Sequence, residues 1–179
     1  MDKYQHLVRA RAKALIANSE IQRLRKEEII NRAELVVKMT DPSDALKIQL
    51  AILYKGEGAK YGAYRGLSLG SSDASILRLY IALLMIAYGK QLALFKARIQ
   101  HRSDQDPGVL KAYWSQQLGF SENQFYKSYS DKRTKGSPTK KIEYKGVCVI
   151  SCSGADIQLE LEAIVQKYTQ KVWGYSSAD

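Results

Sequence analysis

The sequence predicts an α+β protein in which helices pack on one antiparallel sheet, preceded by a charged helical segment. Three observations carry this. Residues 42–57 and 73–88 are apolar on nearly every side, so each reads as a helix buried in the middle of a fold. Short runs after them, Gln91–Arg102 above all, alternate apolar and polar residues with the period of a half-buried strand. Residues 3–39 contain neither Gly nor Pro and set apolar residues at helical spacing among charges.

Taken in order, the N-terminal segment reads as two helices, 3–17 and 20–39, broken near Asn18-Ser19. With Asp2 included, its 9 Lys or Arg against 5 acids suit either a surface that lies along DNA or a solvated brace. Thr40-Asp41-Pro42 is a helix start, with a capping side chain and Pro in the first turn, and the helix ends at Gly56-Glu57-Gly58. Arg65–Leu69 alternates as a short strand. Ser72-Asp73 caps the second apolar helix, which stops at Gly89. In the strand that follows, Ala93, Phe95, Ala97 and Ile99 form an apolar back, and Lys96, Arg98, Gln100 and Arg102 a polar, largely basic front. Residues 107–118 form a helix holding Trp114, 124–129 a strand, 131–138 a polar turn, 140–152 a strand, and 155–173 a closing helix. The domain boundary is expected at 40/41, a basic helical extension preceding a domain over 41–179.

The 179 residues suffice for one sizeable core. A net charge of +10 points to a polyanionic partner. The longest apolar run, Tyr80–Tyr88, is far short of the roughly 20 residues that span a bilayer. With no signal-peptide pattern at the start, the expected location is cytoplasmic, with no membrane partner. Cys148 and Cys152 lie in an apolar strand and, with His6 and His101, match no usual zinc spacing, so they read as reduced core residues. His101 and Ser103–Asp106 read as a turn and helix cap.

A basic strand face of this kind fits the major groove, where Arg and Lys read guanine and Gln reads adenine. It is equally the pattern of the wet side of an antiparallel sheet, although a face kept soluble by charge alone normally mixes signs. The candidate DNA contacts are Arg65, Ser68, Lys96, Arg98, Gln100, Arg102 and Lys127, together with Lys132, Arg133, Lys135, Lys140, Lys141 and Lys145. Residues 127–145 carry 7 Lys or Arg against 2 acids.

The nine residues Leu50-Ala51-Ile52-Leu53-Tyr54-Lys55-Gly56-Glu57-Gly58 resemble the LAGLIDADG motif. Leu50, Ala51, Leu53 and Gly58 are identical to it, Gly56 supplies the small seventh residue and Glu57 the acid at the eighth. Ile52 replaces the small third residue, and Lys55 the acid at the sixth. With Ser71-Ser72-Asp73, Tyr113-Trp114-Ser115, Leu118-Gly119-Phe120, Phe125-Tyr126-Lys127 and Tyr144–Val149, residues 44–174 look like a bacterial LAGLIDADG-type group of homing endonucleases.

That resemblance implies a saddle-shaped antiparallel sheet with packed helices, and a magnesium-dependent nuclease that hydrolyses double-stranded DNA at a specific site. A carboxylate at a helix C-terminus faces the negative end of the dipole, which a divalent cation offsets. Glu57 is then the catalytic and metal-binding acid for Mg2+ or another divalent cation, with the Gly56 carbonyl beside it. A plainer role for Glu57 is a surface acid neutralised by Lys55 or Lys60. One motif per chain implies a homodimer on a near-palindromic site, its interface formed by Leu50, Ala51, Leu53, Tyr54 and Gly56. Lys96, Arg98 or Lys145 could assist at the phosphates, Lys145 equally as a clamp without chemistry. The alternative is a sequence-specific DNA-binding protein on the same scaffold that regulates transcription without cutting; RNA binding is a third possibility.

Overall fold

The computed structural model describes residues 9, 11–25, 27–28, 43–58, 66–141 and 143–176. The chain divides into two units, Met1–Pro42 and Ser43–Asp179.

In the first unit, α1 (residues 11–25) runs straight through Asn18-Ser19, where the sequence suggested a break. Ser19 Oγ donates to the Ile16 carbonyl (2.8 Å), so the hydroxyl bonds back inside the helix instead of capping a new one. Arg23 bridges Glu20 and Glu27, one turn to either side, which uses part of the positive charge within the helix itself. The segment over 29–39 and the start signal Thr40–Pro42 lie outside the described residues.

The second unit runs α2 (Ser43–Glu57), β1 (Leu67–Ser71), α3 (Ala74–Tyr88), β2 (Lys96–Arg102), α4 (Pro107–Leu118), β3 (Tyr129–Asp131), β4 (Val147–Cys152) and α5 (Ala155–Ser176). The four strands form one mixed sheet in the order β1-β4-β2-β3. β4 is antiparallel to both neighbours, while β3 is parallel to β2. The expectation of a wholly antiparallel sheet fails at this edge. Between β2 and β3 the chain passes through α4, and a crossover of that length returns the next strand in the same direction.

Helix ends follow their local chemistry. The Asp73 carboxylate accepts from the Ser75 backbone N–H (2.7 Å) to open α3, and Gly89 closes it at φ 62°. Asp106 accepts from Gly108 and Val109, Pro107 occupies the first turn of α4, and Gly119 ends it at φ 68°.

One apolar cluster joins the layers. Leu50, Ala51 and Tyr54 of α2 meet Leu77, Tyr80 and Leu84 of α3, and the inward strand residues Leu67, Leu69, Ala97, Ile99, Cys148 and Ile150 lie within the same cluster. Burying each large aliphatic contributes about 1.5–3 kcal/mol. Because α2 packs against both α3 and α5, it is central, as its all-round apolar sequence requires. Burial pushes the Cys148 thiol up to about 12, so it stays protonated, and neither cysteine forms a disulfide.

Three strands are shorter than their sequence patterns. Leu92–Leu94 is a 3-10 turn rather than the start of β2, and the buried Gln124 amide donates to the carbonyls of Leu92 and Phe95. Glu122–Gln124 is likewise a 3-10 turn, followed by a single bridge from Phe125 to Ala97. β4 begins at Val147 instead of 140, because the carbonyls of Tyr144 and Lys145 accept from Gln105 Nε2 (2.6 Å) and Trp114 Nε1 (2.8 Å) rather than from a ladder. Gly146 then turns the chain at φ 73°, where an added Cβ would lie 2.6 Å from the Gln100 carbonyl. No helix among the described residues is long and apolar enough to cross a membrane.

Candidate nucleic-acid interface and motif helix

Along β2, the buried residues Ala97, Ile99 and His101 alternate with Lys96, Arg98, Gln100 and Arg102 on the opposite face. Strand register extends that face into rows. Lys96 is beside Ser151, with Ser68 beyond it on β1; Arg98 is beside Val149, with Gly70 beyond it; and Gln100 lies between Val147 and Tyr129. These three rows hold no acid; Asp131 stands opposite Arg102 at the far end. His101 is buried, and its Nδ1 donates to the Arg102 carbonyl (2.8 Å), consistent with a residue that shapes the turn.

The cations of this face are not equivalent. Lys96 Nζ donates to the Asn123 carbonyl (3.1 Å). Arg102 donates to the Ser137 carbonyl (2.6 Å), and its Nε lies 3.9 Å from Asp104. Arg98 is exposed, with its guanidinium 5.2 Å from the centre of the Tyr126 ring. Ser68 is buried at the sheet surface, and Arg65 lies outside the described residues.

The loop between β3 and β4 is tied to the end of β2. Asp104 accepts from the backbone N–H (2.5 Å) and hydroxyl (2.8 Å) of Thr139, and Thr134 Oγ1 accepts from the Ser103 N–H (2.9 Å). These bonds from Thr139 hold the Asp104 carboxyl below the usual carboxylate range, and Arg133 does the same for Asp131. So fastened, the loop exposes Lys132, Arg133, Lys135, Lys140 and Lys141, although Arg133 is paired with Asp131 at 2.9 Å. An open groove of about 470 Å³ beside it is lined by Arg102, Thr139, Lys140, Lys141 and Tyr144. Lys127 is exposed, and Lys145 is half-buried with Nζ 6.0 Å from the Tyr113 ring.

At the motif helix, Glu57 is the exposed last residue of α2, at the negative dipole end that Lys55 partly offsets. No ion pair holds it among the described residues, and no cluster of three or more His, Cys, Asp or Glu forms among them. Gly58 donates to the Tyr54 carbonyl (2.8 Å) and bridges antiparallel to Leu69. A Cβ there would lie 2.5 Å from that carbonyl and 2.6 Å from the Tyr54 ring, so this turn onto β1 requires glycine.

The interface residues expected from the motif divide sharply. Leu50, Ala51 and Tyr54 are at most 5% exposed and belong to the core of the protomer, and Leu53 is half-buried. The three core residues cannot meet a partner without unfolding the protomer. The open face of α2 is instead Ile52, Lys55 and Gly56. With Val165, Tyr168, Val172 and Trp173 of α5 it lines an apolar groove of about 500 Å³. Sequence reading also missed Tyr126, Tyr129, Val147 and Val149 on the sheet face. The valines carried a signal, since 147, 149 and 151 alternate with the buried 148 and 150.

No protein-family model matches the chain, and no curated protein matches it.

Proposed function

We propose that the protein is a homodimeric, metal-dependent endonuclease that cleaves double-stranded DNA at a specific site, with the sheet face in the major groove and Glu57 at the reacting phosphate. The observation that carries this is the run of Lys96, Arg98, Gln100 and Arg102 on one solvent face, on a scaffold whose central helix ends in an exposed acid. The saddle implied by the LAGLIDADG resemblance has two strands between the motif helix and the next helix. Here one strand, β1, is described there, with Gly58 at the end of α2 bridged antiparallel to its Leu69.

The donor chemistry at the end of α2 suits a hard divalent cation: a carboxylate with the terminal helix carbonyls, including that of Gly56, beside it. When bound, such an ion supplies an activated water and stabilises the leaving oxygen. One protomer offers one carboxylate, and Mg2+ is commonly held by one or two carboxylates with water and substrate phosphates, so a paired helix completes the site. The protein's own residues bind and orient: the sheet sets register, and the loop lysines hold the backbone. The proposed compartment is the cytoplasm. A second reading, a non-cleaving DNA-binding regulator, is favoured by Lys55 and the bulky Ile52, which depart from the motif beside Glu57.

Selection of bound duplexes from a random pool, followed by incubation with Mg2+ and Mn2+, tests the proposal. Recovered sites should be cut. A defined site that stays intact with both metals would move the assignment to the regulator. Neutralising Lys132, Arg133 and Lys135 together should weaken binding to all sequences and flatten the salt slope by about 0.9 for each phosphate no longer neutralised. Because Arg133 is already paired, the expected change is nearer two phosphates than three. An unchanged slope would show the loop free of DNA.

Sedimentation should give twice 20.2 kDa, and Ile52→Glu, which charges the apolar groove, should restore the 20.2 kDa species. A wild type that stays monomeric with and without DNA would remove the dimer.

A further inference from the structure

We infer that Arg98 is the residue that sets base preference on the sheet face, selecting guanine, and that Tyr126 is its positioning residue. This rests on the DNA-binding reading above and names which contact gives it sequence information.

The inference follows from how the cations of β2 are engaged. Lys96 and Arg102 have donors committed to the carbonyls of Asn123 and Ser137, and Arg102 helps fasten the loop between β3 and β4. Arg98 makes no hydrogen bond or ion pair among the described residues; its contact is the face of the Tyr126 ring, 5.2 Å away. A guanidinium resting on an aromatic face is restrained in direction while its N–H donors, which lie in its own plane, remain free. Two parallel donors match O6 and N7 of guanine in the major groove.

Tyr126 is itself held from below. Its N–H donates to the Ala97 carbonyl (2.8 Å), and Phe125 before it bridges to Ala97 and packs edge-on to Phe120 (6.1 Å). The ring therefore takes its position from the same strand that carries Arg98. Across the sheet, the row continues through Val149 to Gly70, with no acid to compete for the guanidinium. Gly70 has no side chain, so the surface is low on that side, and Val149 offers methyl groups to a neighbouring base. A phosphate contact needs only a charge, whereas this arrangement restrains a fork, and the two differ in what lysine can replace.

The test is selection from a random duplex pool in parallel for wild type, Arg98→Lys, Tyr126→Ala and Tyr126→Phe, with salt titrations on the recovered sites. Wild type should enrich guanine at one position of each half-site. Arg98→Lys should keep the salt slope and lose about tenfold or more of that guanine preference while other positions stay fixed. Tyr126→Ala should weaken the same preference, and Tyr126→Phe, which keeps the aromatic face, should restore it. Guanine preference retained in Arg98→Lys, or Arg98→Lys binding weakened equally on all sequences with a flatter salt slope, overturns the inference but leaves DNA binding standing. A wild type that enriches no sequence overturns both.

Discussion

Glu57→Gln is expected to lower strand cleavage by at least about 100- to 1000-fold while leaving affinity for the same site unchanged or slightly higher. The substitution is close to isosteric at an exposed position, so no core packing is lost. It removes one negative charge from the C-terminal end of α2, where the macrodipole disfavours it, so stability should hold or rise slightly. It also removes a charge that repels the DNA backbone, which gives the sign of the affinity change. Cleavage of recovered sites in Mg2+, gel-shift affinity and a thermal melt on the same preparation separate these effects. Equal losses of binding and cleavage would strip Glu57 of its chemical role and recast it as part of the binding surface. Undiminished cleavage would exclude it altogether.

Where the side chains themselves decide the local structure, the sequence foretold it well. Asp73 and Gly89 bound α3, Asp106 and Gly119 bound α4, and the alternation from Lys96 to Arg102 put the right residues on each face of β2. Strand beginnings were misread at Gln91 and Lys140 because side chains distant in sequence, Gln124, Gln105 and Trp114, claim the carbonyls that a longer ladder would have used. The open side of α2 was not legible for a different reason. A helix apolar all round carries no polar stripe to mark its exposed face, so Leu50, Ala51 and Tyr54 could not be told from Ile52 and Gly56 until α3 and α5 were in place. Tyr126 falls in the strand expected over 124–129, and its place beside Arg98 is not legible there, since it depends on a backbone bond to Ala97.

Trp114→Ala is expected to cost about 3–5 kcal/mol, a large part of the roughly 5–15 kcal/mol that holds a domain of this kind. The indole is fully buried and packs edge-on against Tyr113 at 5.2 Å. Its Nε1 satisfies the Lys145 carbonyl, so truncation leaves both a cavity and an acceptor without its donor. The melting temperature should fall by about 6–20 °C at 2–4 °C per kcal/mol for a chain of this size. Trp114→Phe keeps most of the apolar volume and loses the donor, so its stability should lie between wild type and Trp114→Ala. The functional consequence reaches the sheet face through the same bond. The Lys145 carbonyl is fixed immediately before Gly146 and β4, and β4 brings Val147 and Val149 beside Gln100 and Arg98. In Trp114→Phe, measured well below its melting temperature, sequence preference should weaken more than the salt slope changes, because register loosens while the loop cations remain. If Trp114→Phe matched wild type in both stability and base preference, the indole bond would have no part in holding β4, and the placement of the valines would have to come from the β1 and β2 ladders alone.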